Sequence, residues 1–292
     1  MKTAKKRTKL AGTEIAAIVI LTILVLFVII PFWNALVISL ETSAAHTRNP
    51  FSWLPKEFTL QNYEYLFKSS DKLIRAYIVT IATTFIGTVL AMAISTTGAF
   101  VLSRQFPGKK IVTVIMLLAM FVSGGLIPTY LNLKGLGLID TYAVIILINC
   151  LSVYNIIVMK TGYESVPDGI EEAAMIDGAN DITIFVRIML PLQKPFIATF
   201  SLFYAVGYWN NWYWPMLLIN SGTKTTLQLY LRALVDNANL VKSIGSEMAL
   251  DSVFSDGIKM SAVFVVMLPI MLLYPFLQPY FVQGLTVGAV KM

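Results

Sequence analysis

Six uninterrupted apolar runs, roughly residues 15 to 38, 76 to 102, 111 to 131, 141 to 159, 196 to 219 and 260 to 282, decide what this chain can become. Each is long enough to cross about 30 Å of hydrocarbon, which takes ~20 helical residues. Lipid offers a peptide group no hydrogen-bond partner, so each run is expected to be an α-helix. The fold class that follows is all-α, a polytopic membrane protein with six transmembrane helices. Composition agrees, since 57% of the 292 residues are hydrophobic and 13% are charged, against about 25% charged in a soluble domain.

The first run follows Lys2, Lys5, Lys6, Arg7 and Lys9. It is longer than the core of a signal peptide, so a retained anchor is expected. A basic tail without acids stays in the cytoplasm, and the short turn containing Arg104, Lys109 and Lys110 falls on the same side. Both termini are therefore expected in the cytoplasm. Residues 39 to 75 and 220 to 259 become long outer loops, 132 to 140 a short outer turn, 103 to 110 a short inner turn and 160 to 195 a long inner loop. One transmembrane domain, residues 1 to 292, is expected, with a cytoplasmic tail at 283 to 292. The net charge of +6 follows from this topology and gives no reason to invoke nucleic acid. Cys150 stands alone, so no intrachain disulfide can form. His46 is also alone and reads as a solvated loop residue, because a metal site needs several converging donors.

None of the six spans contains Asp, Glu, Lys, Arg or His, whereas carriers driven by protons or ions usually need such groups inside the membrane. That weighs against secondary transport, although a scaffold protein would share the lack. No nucleotide site supplies energy internally: Gly222-Thr223-Lys224-Thr225 lacks the spacing of a phosphate-binding loop. No metalloprotease helix motif is present, and the spans hold no acid–base candidates. No catalytic residue, metal or cofactor is expected on this chain, and any ATPase would be a partner.

The inner loop reads as two short helices and a corner. Ser165 is expected to cap a helix over 167 to 176, with Pro167 in its first turn and Asp168, Glu171 and Glu172 near the positive end of its dipole. Gly178 supplies the left-handed geometry that ends it. Asn180 or Asp181 then caps a second helix, Ile182 to Leu190, which Pro191 stops. Ala173 and Ala174 are expected to lie exposed on one compact face where another protein can approach closely; a helix lying on the membrane surface or against the bundle is the alternative.

The fifth run ends in Tyr208, Trp209, Asn210, Asn211, Trp212, Tyr213 and Trp214. Aromatic rings stack on the apolar faces of sugars and amides bond their hydroxyls, which would suit a glycan passage. Trp and Tyr are also enriched at membrane interfaces. Both readings stand, with Trp209, Asn210, Asn211, Trp212 and Tyr213 as candidate pathway residues. The two asparagines are the stronger ones, because buried amides need partners.

Glu172-Ala173-Ala174, three residues, Gly178, nine residues and Ile188-Met189-Leu190-Pro191 together resemble the EAA loop by which permease subunits of bacterial type I ABC importers grip their ATPase. Pro55, Phe58-Thr59-Leu60, Asn62-Tyr63 and Leu66-Phe67 look like the first outer loop of the carbohydrate branch. So do Thr226-Leu227-Gln228 with Leu231-Arg232, Tyr274-Pro275-Phe276 and the tail Gly284 to Lys291. Pro279 and Met292 depart from that pattern, which more often has a lysine and a final glycine.

The resemblance implies the type I importer permease fold, a second related permease, two ATPase copies, an extracytoplasmic carbohydrate-binding protein and an oligosaccharide cargo, including uronate-containing fragments such as those of alginate or pectin. By it, the helix near Gly169 to Asp177 is the coupling helix, Glu172, Ala173 and Ala174 meet the ATPase, Gly178 forms the bend, and Ile188, Leu190 and Pro191 lead back to the membrane. The tail residues Gly284, Gly288 and Lys291 would reach the ATPase interface, and the loop 220 to 259 would meet the binding protein. A permease for a non-sugar solute, or a membrane scaffold without transport, are the alternatives.

Overall fold

The computed structural model describes residues 12–68, 71–244 and 255–289. Lys291 and the basic residues Lys2 to Lys9 lie outside them. Contacts divide the chain into two compact units, Met1–Ser69 with Val235–Val265 and Ser70–Leu234 with Val266–Met292.

The first unit opens with α1, Gly12–Ser39, whose apolar stretch contains no buried residue. A helix that hydrophobic and that uncovered has lipid or another protein as its solvent. Beyond it, α2 (Ser43–Arg48) and α3 (Gln61–Lys68) fold back onto the end of α1 through buried polar groups. Asn62 Nδ2 donates to the carbonyls of Ser39 (3.0 Å) and Glu41 (3.2 Å), Ser261 Oγ donates to Ser39 (3.3 Å), and Glu41 pairs with Phe58 in one antiparallel bridge. His46 is half-buried inside α2 rather than in a solvated loop.

The second unit is built around α4, Asp71–Ser103. Then come α5 (Lys109–Phe121), α6 (Leu126–Gly135), α7 (Tyr142–Leu147), α8 (Val153–Tyr163), α9 (Asp168–Ile176), α10 (Asp181–Leu192), α11 (Lys194–Trp209) and α12 (Tyr213–Leu218). Helices α8 and α11 pack along α4. Ser95 of α4 and Tyr204 of α11 share a buried hydroxyl hydrogen bond of 2.7 Å. At Gly87 a Cβ would stand 2.5 Å from the ring of Tyr208, so only glycine lets that ring cross α4. The Tyr208 hydroxyl then donates to the carbonyl of Ile146 at 2.6 Å, satisfying one of the last carbonyls of α7.

Three of the six expected spans are interrupted. The third breaks between α5 and α6, which meet at 113°. Gly125, at φ +86°, opens the second piece, a geometry that suits glycine. The fourth breaks after α7, and Ser152 caps α8 by accepting from the Asn155 amide at 3.3 Å. The fifth stops at Trp209 and resumes at Tyr213. Mean hydropathy does not register these breaks, because Gly, Ser and Asn flanked by Leu and Ile leave the window apolar. Two further helices, α13 (Leu227–Ile244) and α14 (Ser255–Ala289), complete the described chain. Gly284 and Gly288, expected in a tail beyond the sixth span, continue the backbone of α14.

Candidate functional site

The inner loop forms a tight elbow, and each of its turns has a local cause. Helix α9 begins after Pro167, which has extended backbone geometry and no side-chain cap; Ser165 instead donates to the carbonyl of Gly162 at 2.6 Å, closing the end of α8. The expected Ser165 cap is thereby corrected. At the other end Gly178 adopts φ +81°. Its amide reaches Met175 O at 3.0 Å and the Ala179 amide reaches Ala174 O at 2.9 Å, the paired bonds of a Schellman closure. Asn180 Oδ1 accepts from the Thr183 amide at 2.8 Å and caps α10.

Helix α10 differs from the expected helix ending at Pro191. Residues Ile184–Met189 form a wider π-helical turn, and the helix continues to Leu192. Pro191 has no amide to give the carbonyl four residues earlier, and the Leu190 amide reaches back five residues to Phe185. The helix stops at Gln193, whose buried side-chain amide donates to Gly162 O at 2.8 Å. Helix α11 then leaves at 82°.

Ala174 is buried, only 8% exposed, against the expectation that both alanines face outward. It packs in a cluster with Phe100, Tyr163, Ile184 and Met189, with Ala179 and Ile188 at its margin. A larger residue at 174 would push the Schellman closure off this cluster. Ala173 and Glu172 are exposed, with Met175, Asp177, and Ile176 at 86% and Ile182 at 74%. Leu190 is half-buried and Pro191 exposed.

In the sequence Arg104 is marked only as a topological cation, yet in the structure it fixes the elbow. Its guanidinium pairs with Glu171 of α9 at 2.8 Å and Asp181 of α10 at 2.5 Å, and lies 4.4 Å from the Phe100 ring centroid. Both helices of the elbow are thus tied to the end of α4. The readable signal was one arginine in a short turn facing a loop with acids at Asp168, Glu171, Glu172 and Asp181. Glu171 is engaged by Arg104, whereas Glu172 has no ion-pair partner among the described residues.

A second polar feature lies at the break after α11. Trp209 is buried, packs edge-on to Tyr77 (6.5 Å) and donates from its indole to Val266 O at 3.3 Å, so in this chain it is a packing residue. Asn210 is exposed and accepts from Gln228 Nε2 at 3.2 Å; Asn211 is half-buried; Trp212 and Tyr213 are exposed. Arg232, which the sequence marks only as part of the loop pattern, places its guanidinium carbon 3.9 Å over the Trp212 ring centroid. Nearby, Asp140 (φ 58°) clasps the next loop: its carboxylate accepts from the Asn220 amide (3.1 Å), the Ser221 amide (3.0 Å) and the Ser221 hydroxyl, and pairs with Lys224 at 3.3 Å. The Ser221 hydroxyl, its amide and Lys224 together hold the Asp140 carboxyl well below the usual carboxylate range.

Residues 63–287 match the family described as "Binding-protein-dependent transport system inner membrane component". The chain belongs to this family. It is a multi-pass, non-catalytic permease subunit of an ABC transporter. The permease is 39% identical over 264 residues to protein LplC of Bacillus subtilis (90% of this chain, 89% of that protein). It is 37% identical over 268 residues to the polygalacturonan/rhamnogalacturonan transport system permease protein YtcP of the same organism (91% and 93%). In structure it is similar, at TM-score 0.86 and 28% identity over 94% of this chain and 99% of the other, to a chain in the crystal structure of a bacterial ABC transporter involved in the import of the acidic polysaccharide alginate.

Proposed function

We propose that this permease forms half of an import pathway for an oligosaccharide or polysaccharide fragment, driven by a separate ATPase that seats on the elbow of α9 and α10. The observation that carries the reading is an uncovered apolar tip on a rigid base. Ile176, Met175 and Ile182 are exposed, while Ala174 is buried beneath them and Arg104 holds both helices. Exposed apolar groups on a braced elbow suit a protein partner, and Glu172 adds a charge for a partner cation. An open groove of about 250 Å³ beside the elbow, bordered by Pro167, Ile170, Leu192 and Phe196, extends the same surface.

In this reading the elbow, both termini and the ATPases are cytoplasmic, and ATP and Mg²⁺ are bound by the two ATPase copies. ATP-driven closure draws two such elbows together, one on this chain and one on a second related permease, and access to the pathway alternates. An extracytoplasmic binding protein delivers the cargo to the loop that includes α13. The polysaccharide cargo named for YtcP and for the alginate transporter supports a carbohydrate, including a uronate-containing one. The terminal segment with Gly284, Gly288 and Lys291 is proposed to reach the ATPase interface.

The test is binding-protein-stimulated ATP hydrolysis in proteoliposomes. Ile176→Asp should leave insertion and complex purification intact and lower the stimulated rate about tenfold or more, since a buried charge at a protein interface costs several kcal/mol when unpaired. An unchanged stimulated rate for both Ile176→Asp and Ala173→Leu would refute docking at the elbow.

A further inference from the structure

Resting on the carbohydrate reading above, we propose that Arg232, Trp212 and the asparagines of the helix break form a contact site for the carboxylate of an acidic sugar residue in transit, and that Arg232 favours uronate-containing over neutral oligosaccharides.

The break leaves α11 after Trp209 and α12 before Tyr213, so Asn210, Asn211 and Trp212 lie between the two helices. The six apolar spans bring no charge of their own, and Arg232 delivers a cation to this place. A guanidinium whose carbon stands 3.9 Å over the centre of an indole ring is held by the ring face, a contact that does not consume its planar fork of N–H donors. That fork matches the two oxygens of a carboxylate. The edge need not be vacant at rest, because the sugar carboxylate can replace whichever acceptor holds it.

Two amides immediately precede Trp212 in the chain. Asn211 Nδ2 is buried without a hydrogen-bond partner, a donor whose desolvation is uncompensated until an acceptor arrives. Asn210, exposed, shares its carbonyl oxygen with Gln228 and keeps its amide hydrogens for hydroxyl oxygens. The segment carrying Arg232 is anchored: the Leu227 amide donates to the buried Thr80 Oγ1 of α4 at 2.8 Å, and Thr226 Oγ1 donates to Asn211 O at 3.3 Å. The cation is therefore held on a fixed strut beside the break.

Equilibrium dialysis of the whole transporter, copurified with its partner subunits and set in nanodiscs, tests this with labelled trigalacturonate, trimannuronate and the neutral methyl ester of trigalacturonate. Wild type should bind at least one acid trisaccharide more tightly than the ester. Arg232→Gln should weaken acid binding about tenfold or more and leave the ester unchanged, with Arg232→Lys and Trp212→Phe falling between. Equal binding of acid and ester by wild type, binding of neither acid, or an Arg232→Gln complex indistinguishable from wild type would each overturn the proposal. If Arg232→Gln does not assemble, the two milder variants carry the comparison. Failure of the carbohydrate reading itself shows separately, as wild-type ATP hydrolysis that no saccharide-loaded binding protein stimulates.

Discussion

Single residues in this permease have their effects set by what stands beside them. Arg104 spans two acids, and Arg104→Gln should cost roughly 1–2 kcal/mol in detergent melting. Most of that comes from the half-enclosed Glu171 arm, because the Asp181 side chain is 75% exposed and solvent screens it. With the ATPase seated on the elbow as proposed, Arg104→Gln should also lower coupled ATP hydrolysis, since a loosened elbow would transmit less motion. Gly87→Ala should cost about 1–3 kcal/mol, because the Tyr208 ring it meets is pinned by its bond to Ile146 O and cannot yield. Tyr208→Phe, which removes the pin, should cost about 1 kcal/mol and soften the Gly87→Ala penalty in the double variant. The exposure of Glu172 and the turn at Gly178 were legible in the sequence, as residue types with local consequences. The burial of Ala174 was not, because a small residue serves equally at a partner's surface and beneath a helix end, and only the packing distinguishes them.

At the scale of elements, the legible part was the existence of apolar helices and the hidden part was where they break. Lipid-length hydropathy averages over the Ser123-Gly124-Gly125 and Ile148 to Leu151 stretches, whereas local turn chemistry decides them. Helix ends in the elbow were easier to read, because glycine and asparagine have specific geometric roles there. Gly178→Ala should destabilise the elbow by roughly 1–2 kcal/mol through its left-handed backbone, visible as faster hydrogen exchange in α9 than elsewhere. The clasp at Asp140 gives a pH prediction. Its carboxyl is held below the ordinary value of 3.8, so the stability it adds is fully present above that value and is lost as the pH falls below it toward the folded-state value. Asp140→Asn should therefore lower the melting temperature at pH 7, and its difference from wild type should narrow as the pH drops below about 4.

For the whole molecule, charge-free apolar spans, a braced elbow and membership of a binding-protein-dependent transport family describe a subunit that is moved by another protein. The family was legible as a resemblance, carried by Glu172 to Pro191 at their fixed separations. The bracing by Arg104 and the stack at Arg232 depend on contacts between residues far apart in sequence, which no local pattern announces. The most direct measurement is site-specific photocrosslinking from position 176 in the purified complex, followed by identification of the captured chain. The elbow should capture a nucleotide-hydrolysing subunit, with a yield that changes between ATP-bound and nucleotide-free complexes. Capture of lipid or of this chain alone, with no ATPase in either state, would contradict the account.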